Sequence, residues 1–268
     1  MKPPATFVSI GAGNVSSHLS SELCKKGYVL KQVFSRTPES CNYLASKFFS
    51  ECTTSIEKII PTADFYLVSV PDSILPAILS ELKVRDKLIF HTAGSIGLEI
   101  FQNRYKQYGI LYPLQTFSKY RELNIHKIHF FVEGSDAETT AMIIGIASTL
   151  SETVILSDAL KRKWLHIAAI FASNFTNFMY ISANELLKRE DIEFKLLFPL
   201  MEETFRKAQS GDPASGQTGP AIRGDLNTIQ EHIKLLASRP DLQKLYTFIS
   251  TNIQEYFSVC HSKNLKNE

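Results

Sequence analysis

A short glycine turn near the start of the chain constrains the fold more than any other feature. The apolar run Phe7–Ile10 predicts a buried strand, and residues 14–26 have a helical pattern. Between them, Gly11 permits a tight turn, and Gly13 lets the backbone approach a phosphate bound at the helix N-terminus. Ser16 replaces the usual third glycine and is small enough for close helix–strand packing. This order predicts the phosphate-binding corner of a dinucleotide fold, although such a turn can also be purely structural.

Length and composition narrow the class of protein. A chain of 268 residues with 44% hydrophobic residues can bury the core of one large domain or of two. A net charge of +2 at pH 7 gives no reason to expect a nucleic-acid or membrane partner. The sequence enters a strand directly and has no long apolar run, so we expect neither a signal peptide nor a membrane span. The four cysteines lack metal-type spacing, so we expect reduced thiols, no metal site and a cytoplasmic protein.

Predicted strands and helices alternate in the first half of the chain. The strands are expected at 5–10, 28–35, 64–70, 87–91 and 128–133. The helical patterns lie at 14–26, 38–49, 73–84 and 97–104. This alternation predicts an α/β fold of the Rossmann type, with a doubly wound parallel sheet that binds ligands beyond the C-terminal ends of its strands. We place this domain at residues 1–156.

An arginine turn follows the second predicted strand and bears on the choice of cofactor. Sites that prefer NAD usually have an acidic residue here to bind the ribose hydroxyls, but none occurs between Val29 and Pro38. Arg36 instead offers a planar guanidinium for a 2′-phosphate, with Ser35 and Thr37 as hydroxyl donors. Beside the glycine corner, this turn predicts a preference for NADP. The alternative is an exposed arginine in an ordinary turn.

The turns after the next two predicted strands complete the expected cofactor site. They contain Val70, Pro71 and Asp72 in one turn and Thr92, Ala93, Gly94 and Ser95 in the other. Both would border the nicotinamide, where Pro71 and Gly94 suit a close approach of backbone to a flat ring. Asp72 is equally suited to capping the next helix, and His91 is better explained as a structural residue than as a proton donor. Residues 112–117 lack a helical period and are expected to cross toward the site as a loop.

The pattern changes at about Ser157. Residues 158–187 are helical in character and contain neither glycine nor proline, which predicts a helix on the order of 45 Å long. Further helical patterns lie at 191–209, 225–238 and 240–258. Residues 157–268 are therefore expected to form an all-α domain, whose long apolar helix offers a surface for a homodimer.

Polar residues form a line along this apolar helix. At 100° per residue, the residues on one side are Lys163, His166, Ser173, Asn174, Asn177 and Asn184. Since an unpaired buried polar group costs roughly 1–3 kcal/mol, the line is either a solvated edge or the wall of a cleft between the domains. We favour the cleft, in which His166 or Lys163 would donate a proton. Asn174 and Asn177 would orient a carbonyl or carboxylate.

A glycine-rich segment, residues 211–225, contains four of the chain's 12 glycines. Its bare backbone donors, with Thr218, Gly219 and Arg223, would hold an acidic substrate. Asp225 is either part of this substrate site or the cap of the next helix. The segment could also be a linker, but we favour the substrate site because a linker requires no arginine.

Motifs spread over the whole chain occur together in one known family. In the first half they are Gly11–Asn14, Ser35–Thr37, Val70–Asp72, His91–Ser95 and Tyr112–Phe117. In the second half they are His166–Ala169, Ser173–Asn177 and Thr218–Ala221, with Arg223 and Asp225. Together they resemble a family of bacterial Rossmann-like NADP oxidoreductases. The resemblance implies an N-terminal dinucleotide domain and a C-terminal helical domain without an assigned function.

More distantly, the chain resembles pyrroline-5-carboxylate reductase, ketopantoate reductase and the 6-phosphogluconate and hydroxyisobutyrate dehydrogenases. The dehydrogenases and ketopantoate reductase have a catalytic lysine one helical turn before an asparagine. Here Ile170 precedes Asn174 and Ser173 precedes Asn177, so this lysine is absent. The resemblance therefore implies a cofactor and a reaction class and leaves the substrate open.

The sequence thus predicts an NADP-dependent oxidoreductase that acts on a small carbonyl or imine, bound between the domains. The predicted cofactor-binding residues are Gly11, Ala12, Gly13, Asn14, Val15, Ser35, Arg36, Thr37, Val70, Pro71, Asp72, Thr92, Ala93, Gly94 and Ser95. The predicted catalytic residues are His166, Lys163, Asn174 and Asn177. The rival hypotheses are a non-catalytic NADP(H)-binding sensor or scaffold and an enzyme that uses NAD.

Overall fold

The structure, a computed structural model, describes residues 5–101 and 104–264, with side chains as far as Ser258. By its internal contacts the chain divides into two compact units, residues 1–175 and 176–268. The first unit extends beyond residue 156, because side chains of the first part of the long predicted helix bond to the sheet, Arg162 to Glu133 and His166 to Tyr112. The predicted domain boundary between residues 156 and 157 stays a prediction.

Eight strands form one sheet within the described part of the first unit. They are β1 (Thr6–Ile10), β2 (Val29–Phe34), β3 (Glu51–Thr53), β4 (Phe65–Val68), β5 (Leu88–His91), β6 (Gln107–Pro113), β7 (Phe130–Gly134) and β8 (Val154–Leu156). Their order is β3-β2-β1-β4-β5-β6-β7-β8, and neighbours are parallel except β6 and β7. Because β1 lies between β2 and β4, the winding reverses there, which places the Gly11 turn at the edge where such sheets bind ligands.

Helices cover both faces of this sheet. They are α1 (Asn14–Lys25), α2 (Pro38–Ser46), α3 (Leu75–Glu81) and α4 (Ala137–Leu150). On one face, Leu19 of α1 and Ile143 of α4 belong to an apolar cluster with Phe7. On the other face, Ile78 of α3 clusters with Tyr66. These two layers confirm the predicted doubly wound α/β class.

The sheet differs from the prediction in detail. β3, β6, β8 and α4 were not predicted, and Tyr112 and Pro113 lie in β6 rather than in a loop. β7 runs antiparallel to β6 instead of continuing the parallel sheet. The reason is the link between them, which contains a 3₁₀ turn but no crossover helix, and parallel neighbours need a crossover. The helix predicted at 97–104 is a 3₁₀ turn at Leu98–Phe101, and residues 102–103 lie outside the described residues.

Two of the cysteines are paired. Cys41 on α2 and Cys52 on β3 form a disulfide, with their Cα atoms 5.7 Å apart. The expectation of reduced cysteines is therefore wrong for this pair, because the packing of α2 on the unpredicted strand β3 brings the two residues together. Cys24 is free.

Helices follow β8 to the end of the described chain. They are α5 (Ala159–Ala169), a π-helical turn (Ile170–Phe175), α6 (Thr176–Lys188), α7 (Phe198–Gln209), α8 (Pro220–Arg223), α9 (Leu226–Leu235) and α10 (Pro240–Asn264). This confirms the predicted helical character of the C-terminal region. The residues predicted as one long helix are helical, but the π-turn interrupts their regular α-geometry. Among the described residues, no helix combines the length and apolarity needed to cross a bilayer.

Candidate active site

The two glycines of the corner after β1 differ in their surroundings. Gly11 has a φ of +109°, and a Cβ there would lie 2.0 Å from the carbonyl oxygen of Ser69. Its N–H donates to the carbonyl of Phe34 at 2.8 Å, so the turn is too tight for a side chain. A Cβ on Gly13 would meet nothing within 4 Å. Gly13 is the N-cap of α1 and provides no side-chain cap, so the first N–H groups of α1 are available to an anion.

Ser16 packs between α1 and β1 as predicted and also makes hydrogen bonds. It is buried, and its hydroxyl donates to the carbonyl of Gly11 at 2.5 Å and lies 2.6 Å from the hydroxyl of Ser9. Of the other corner residues, Ala12 is buried in the apolar cluster and Val15 packs against it. These contacts hold the corner against the sheet, and Gly13 remains exposed.

A cavity of about 210 Å³ opens beside this corner. It brings together three predicted segments, Gly11–Gly13, Ser35–Thr37 and Val70–Pro71, and adds Lys119 from a distant loop. Arg36 is exposed and has no ion-pair partner in the described part of the chain. None of the described residues that line the cavity is acidic.

This donor set fits a dinucleotide that carries a 2′-phosphate. The uncapped N-terminus of α1 suits the pyrophosphate, and the free guanidinium of Arg36 with the hydroxyls of Ser35 and Thr37 suits a phosphate monoester. The lack of carboxylates in the lining removes the group that would repel this phosphate and would bind the ribose hydroxyls of NAD.

Hydrogen bonds join the turns after β4 and β5. The hydroxyl of Ser95 donates to the carboxylate of Asp72, and Thr92 Oγ1 donates to Ser69 Oγ at 3.1 Å. The N-cap of α3 is Ile74, so Asp72 does not cap that helix. The alternative that the sequence left open for Asp72 is thus not observed, and its carboxylate instead fixes the turn that contains Gly94.

Gly94 makes room for a tyrosine–histidine pair. Tyr112, at the end of β6, places its hydroxyl 3.1 Å from Nδ1 of His166 on α5. A Cβ on Gly94 would lie 2.8 Å from the Tyr112 ring and 2.9 Å from this Nδ1 atom, so a larger residue would displace one of the two rings. The pair lines a cavity of about 400 Å³ together with Asn174. Burial, and to a lesser extent the nearby charge of Asp72, raises the pKa of Tyr112, which keeps its hydroxyl protonated near neutral pH.

A buried arginine anchors α5 to the sheet. Arg162 is fully buried, and it donates to Glu133 of β7 at 2.6 Å and to the carbonyl of Ile96 at 3.1 Å. It lies one helical turn before His166, so both side chains are on the same face of α5. Through Ile96 the same guanidinium holds the loop that contains Gly94. Arg162 therefore determines where His166 lies relative to that loop.

His91 has a structural environment. It is buried, its Nδ1 accepts a hydrogen bond from the N–H of Ala93 at 3.2 Å, and its ring stacks on Phe101. Burial, assisted by the charge of Arg162, lowers its pKa to about 3. A histidine with this pKa is neutral at pH 7, which supports the structural interpretation and not the role of a proton donor.

Two family descriptions match consecutive parts of the chain. Residues 6–93 match "NADP oxidoreductase coenzyme F420-dependent", and residues 128–253 match DUF2520, a domain of unknown function. No curated protein matches the chain. A crystal structure from Bacteroides fragilis, described as that of a proposed NADP oxidoreductase, is 43% identical, covers 94% of this chain and 99% of its own, and has a TM-score of 0.88. The chain belongs to this family of NADP oxidoreductases.

The oxidoreductase shares its fold with more distant structures. An imine reductase from Myxococcus stipitatus in complex with NADP⁺ is 16% identical, with coverage of 95% of this chain and 94% of its own and a TM-score of 0.64. A 1-pyrroline-5-carboxylate reductase from Streptococcus pyogenes is 11% identical, with coverage of 95% and 100% and a TM-score of 0.61. At these identities the likeness concerns the fold alone. The family itself is NADP-dependent, so NADP is the cofactor of this enzyme.

The predicted catalytic residues of the oxidoreductase do not all meet. His166 and Asn174 line the cavity beside Tyr112, whereas Lys163 is exposed and is not among the described residues that line it. Asn177 lies in α6, beyond the π-turn and in the second unit. A π-turn adds one residue to a helical turn and rotates all later residues by about 100°, so the polar line drawn at constant angle does not continue past it.

The predicted substrate residues lie in the second unit and are separated there. Thr218 lines a largely apolar cavity of about 280 Å³, and Arg223 lines a different one of about 350 Å³. Gly219, with a φ of +109°, precedes α8. Asp225 is the N-cap of α9, where its carboxylate accepts from the N–H of Thr228 at 3.1 Å and from its hydroxyl at 2.8 Å. These contacts lower the pKa of Asp225 and realise the capping alternative.

Three residues of the site were missed by sequence reasoning. Tyr112 lay in a recognised motif, but its chemistry depends on a partner that is distant in the sequence. Arg162 gives a weak signal, as an arginine one turn before His166 on a largely apolar helix. Lys119 gives no sequence signal, because nothing in its irregular segment distinguishes a binding lysine from an ordinary surface lysine.

Proposed function

We propose that this oxidoreductase reduces a small carbonyl or imine compound, with His166 as the proton donor. The observation that carries the proposal is the contact between Tyr112 Oη and His166 Nδ1 beside Gly94. When bound, NADPH supplies the hydride that adds to the carbon of the C=O or C=N bond. The protein supplies the proton that the oxygen or nitrogen takes up, and the product is an alcohol or an amine.

The tyrosine selects which imidazole nitrogen delivers the proton. In the imidazolium form, Nδ1–H donates to the oxygen of Tyr112, whose hydroxyl stays neutral because burial raises its pKa. The proton on Nε2 is then the one released to the substrate, and the ring returns to its neutral form. Asn174, which lines the same cavity, orients the substrate by hydrogen bonding. In this proposal Tyr112 is a positioning residue and His166 is the catalytic residue.

The proton donor is tested by oxidation of NADPH with a panel of small carbonyls and imines. His166→Gln should lower kcat by roughly a hundredfold or more, and Tyr112→Phe by about tenfold, without loss of NADPH affinity. Lys163→Gln, on the same helix, is the matched control and should retain activity. Full activity in His166→Gln, or a loss in Lys163→Gln alone, would contradict the assignment. NADPH binding without oxidation across the panel would favour the non-catalytic sensor.

Cofactor preference follows from the proposed role of Arg36. The exposed guanidinium binds the 2′-phosphate, and the uncapped N-terminus of α1 binds the pyrophosphate. Calorimetric titration should give much tighter binding of NADPH than of NADH, and Arg36→Ala should remove most of the difference. Equal affinities in the unchanged protein would contradict this preference.

We also propose that the substrate is acidic and that Arg223 binds its carboxylate. This guanidinium is exposed, lies beside the backbone of Gly224, and has no ion-pair partner in the described chain. Arg223→Gln should raise KM for carboxylate-bearing substrates and leave their uncharged amides unaffected. An equal change for both would show that Arg223 does not recognise the carboxylate.

We also propose a homodimer formed by the helical unit. α7 contains no buried residue, although Phe198, Leu200 and Phe205 belong to it. A helix of this length is marginal in water without tertiary packing, so its apolar side chains need a partner surface. A second copy of the chain supplies one by symmetry. Sedimentation analysis of the purified protein tests this assembly.

A further inference from the structure

The loop that follows β6 returns over the N-terminal part of α1. β6 is parallel to β5, so it ends at the edge of the sheet where the glycine corner lies. The amide of Asn14 donates to the carbonyl of Phe117 at 2.9 Å, and Nε2 of His18 donates to the carbonyl of Ser118 at 2.8 Å. The rings of His18 and Phe117 also pack, with centroids 5.5 Å apart. These contacts fix the next residue, Lys119, beside the corner.

Lys119 lies between two cavities, since it lines that of the cofactor and also a neighbouring one of about 530 Å³. Its half-buried side chain lines the 210 Å³ cavity with Gly13, Arg36 and Thr37, and its ammonium lies 5.7 Å from the centre of the Tyr43 ring. No carboxylate within the described residues lies within ion-pair distance of this ammonium. The cavity therefore has two cations without an internal counter-charge.

An anion with more than one negative charge matches this arrangement. Two unpaired cations at one cavity repel each other, and a phosphate monoester relieves the repulsion and accepts hydrogen bonds from both. Arg36 offers a planar fork and Lys119 a compact point charge, so the two can bind different oxygens of one phosphate. We propose that Lys119 is a second cation for the 2′-phosphate of NADP(H), brought by a loop that α1 holds in place. The inference rests on the proposed role of Arg36.

The inference makes Lys119 a specificity-determining residue. Calorimetric titration of Lys119→Met should show NADPH binding weakened by about tenfold, near the lower end expected for a charged hydrogen bond, and NADH binding unchanged within about twofold. Lys119→Arg keeps the charge and should restore most of the affinity. Adenosine 2′,5′-bisphosphate and 5′-AMP, titrated in the same way, isolate the adenosine half and should repeat the pattern.

A matched control is Lys47, the C-cap residue of α2. Lys47 places its ammonium 4.1 Å from the centre of the same Tyr43 ring, but it lines the neighbouring cavity and not that of the cofactor. Lys47→Met should therefore leave both affinities unchanged. An equal loss of NADPH and NADH binding in Lys119→Met would place its contact at the pyrophosphate or in the loop's own folding and would overturn the inference, as would an equal effect in Lys47→Met.

A parallel Arg36→Ala titration separates this inference from the proposal beneath it. If Arg36→Ala loses NADPH affinity and Lys119→Met does not, the inference fails and the proposed site stands. If neither variant changes the preference for NADPH, both fail. Loss in both variants, with NADH binding retained, supports a phosphate shared by the two cations.

Discussion

The two units of this oxidoreductase differ in how completely each buries its own apolar side chains. In the first unit the sheet is covered on both faces, and Phe7, Phe90 and Phe130 are fully buried. In the second unit α7 contains no buried residue, and Phe198 and Leu200 are 54% and 64% exposed. The first unit has a core of its own, whereas the second has apolar surface to offer a partner. Substitutions in the first unit should therefore change the stability of the fold, and substitutions on α7 of the second unit should change dimer assembly.

The largest effect is expected at the glycine corner, where the core of the first unit meets the proposed cofactor site. Gly11→Ala should lower the free energy of unfolding by about 4 kcal/mol, because its Cβ meets the Ser69 carbonyl and its φ is positive. Gly13→Ala is the matched control, with free space around the new Cβ. It should leave stability nearly unchanged and weaken NADPH binding. Urea unfolding and calorimetric titration measure the two outcomes, and similar stability losses in both variants would contradict the distinction.

The anchor of α5 should rank next. Arg162→Met removes a buried guanidinium and leaves Glu133 without its partner, which should cost about 3 kcal/mol of unfolding free energy. Activity should fall as well, because His166 loses the support that places it beside Tyr112. Arg162→Lys keeps the charge but cannot contact both Glu133 and the Ile96 carbonyl. It should therefore recover only part of the stability and only part of the activity. An unchanged pH profile and kcat in Arg162→Met would show that the anchor does not position His166.

A third test follows from His91 in the same core. Its pKa in the folded protein, about 3, lies below the ordinary 6.5, so protonation favours the unfolded chain. The stability it contributes is complete above about pH 6.5 and is lost as the pH falls toward 3, by about 2 kcal/mol at pH 5. His91→Asn keeps an acceptor for the Ala93 N–H but cannot take up a proton. The free energy of unfolding should differ less between pH 7.5 and pH 5 in this variant than in the unsubstituted protein. An equal decline in both proteins would show that protonation of His91 does not cause the loss.

The smallest effect on folding is expected in the second unit. Leu200→Glu and Phe205→Glu place charges on the apolar side chains of α7 and should weaken dimerisation by at least about tenfold. Gln209→Glu adds the same charge at the end of this helix and should have little effect. NADPH affinity should stay constant, since the proposed cofactor cavity belongs to the first unit. If the protein without substitutions sediments as a monomer at every concentration, the proposed dimer is wrong, and the contrast in assembly between the two units is lost with it.

The missed features of the fold share one cause, which is dependence on distant residues. β6 contains Tyr112 and reads as an irregular segment, because a strand without clear alternation is recognised only by its pairing. The antiparallel direction of β7 depends on a connection whose path a local pattern does not give. The π-turn at Ile170–Phe175 also has no local signature here, so a constant angle per residue carried the predicted polar line past Asn174 to Asn177.

The sequence by itself determined the glycine corner, the arginine turn and the class of fold, because phosphate binding at a strand–helix turn uses the backbone of a few consecutive residues. Only the tertiary structure decided that Tyr112 meets His166, that Arg162 anchors the helix on which His166 lies, and that Lys119 joins Arg36 at one cavity. Each of these contacts joins residues far apart in the chain. Their distances are set by the packing of helices and loops on the carboxyl edge of the sheet, which no local pattern of residues encodes.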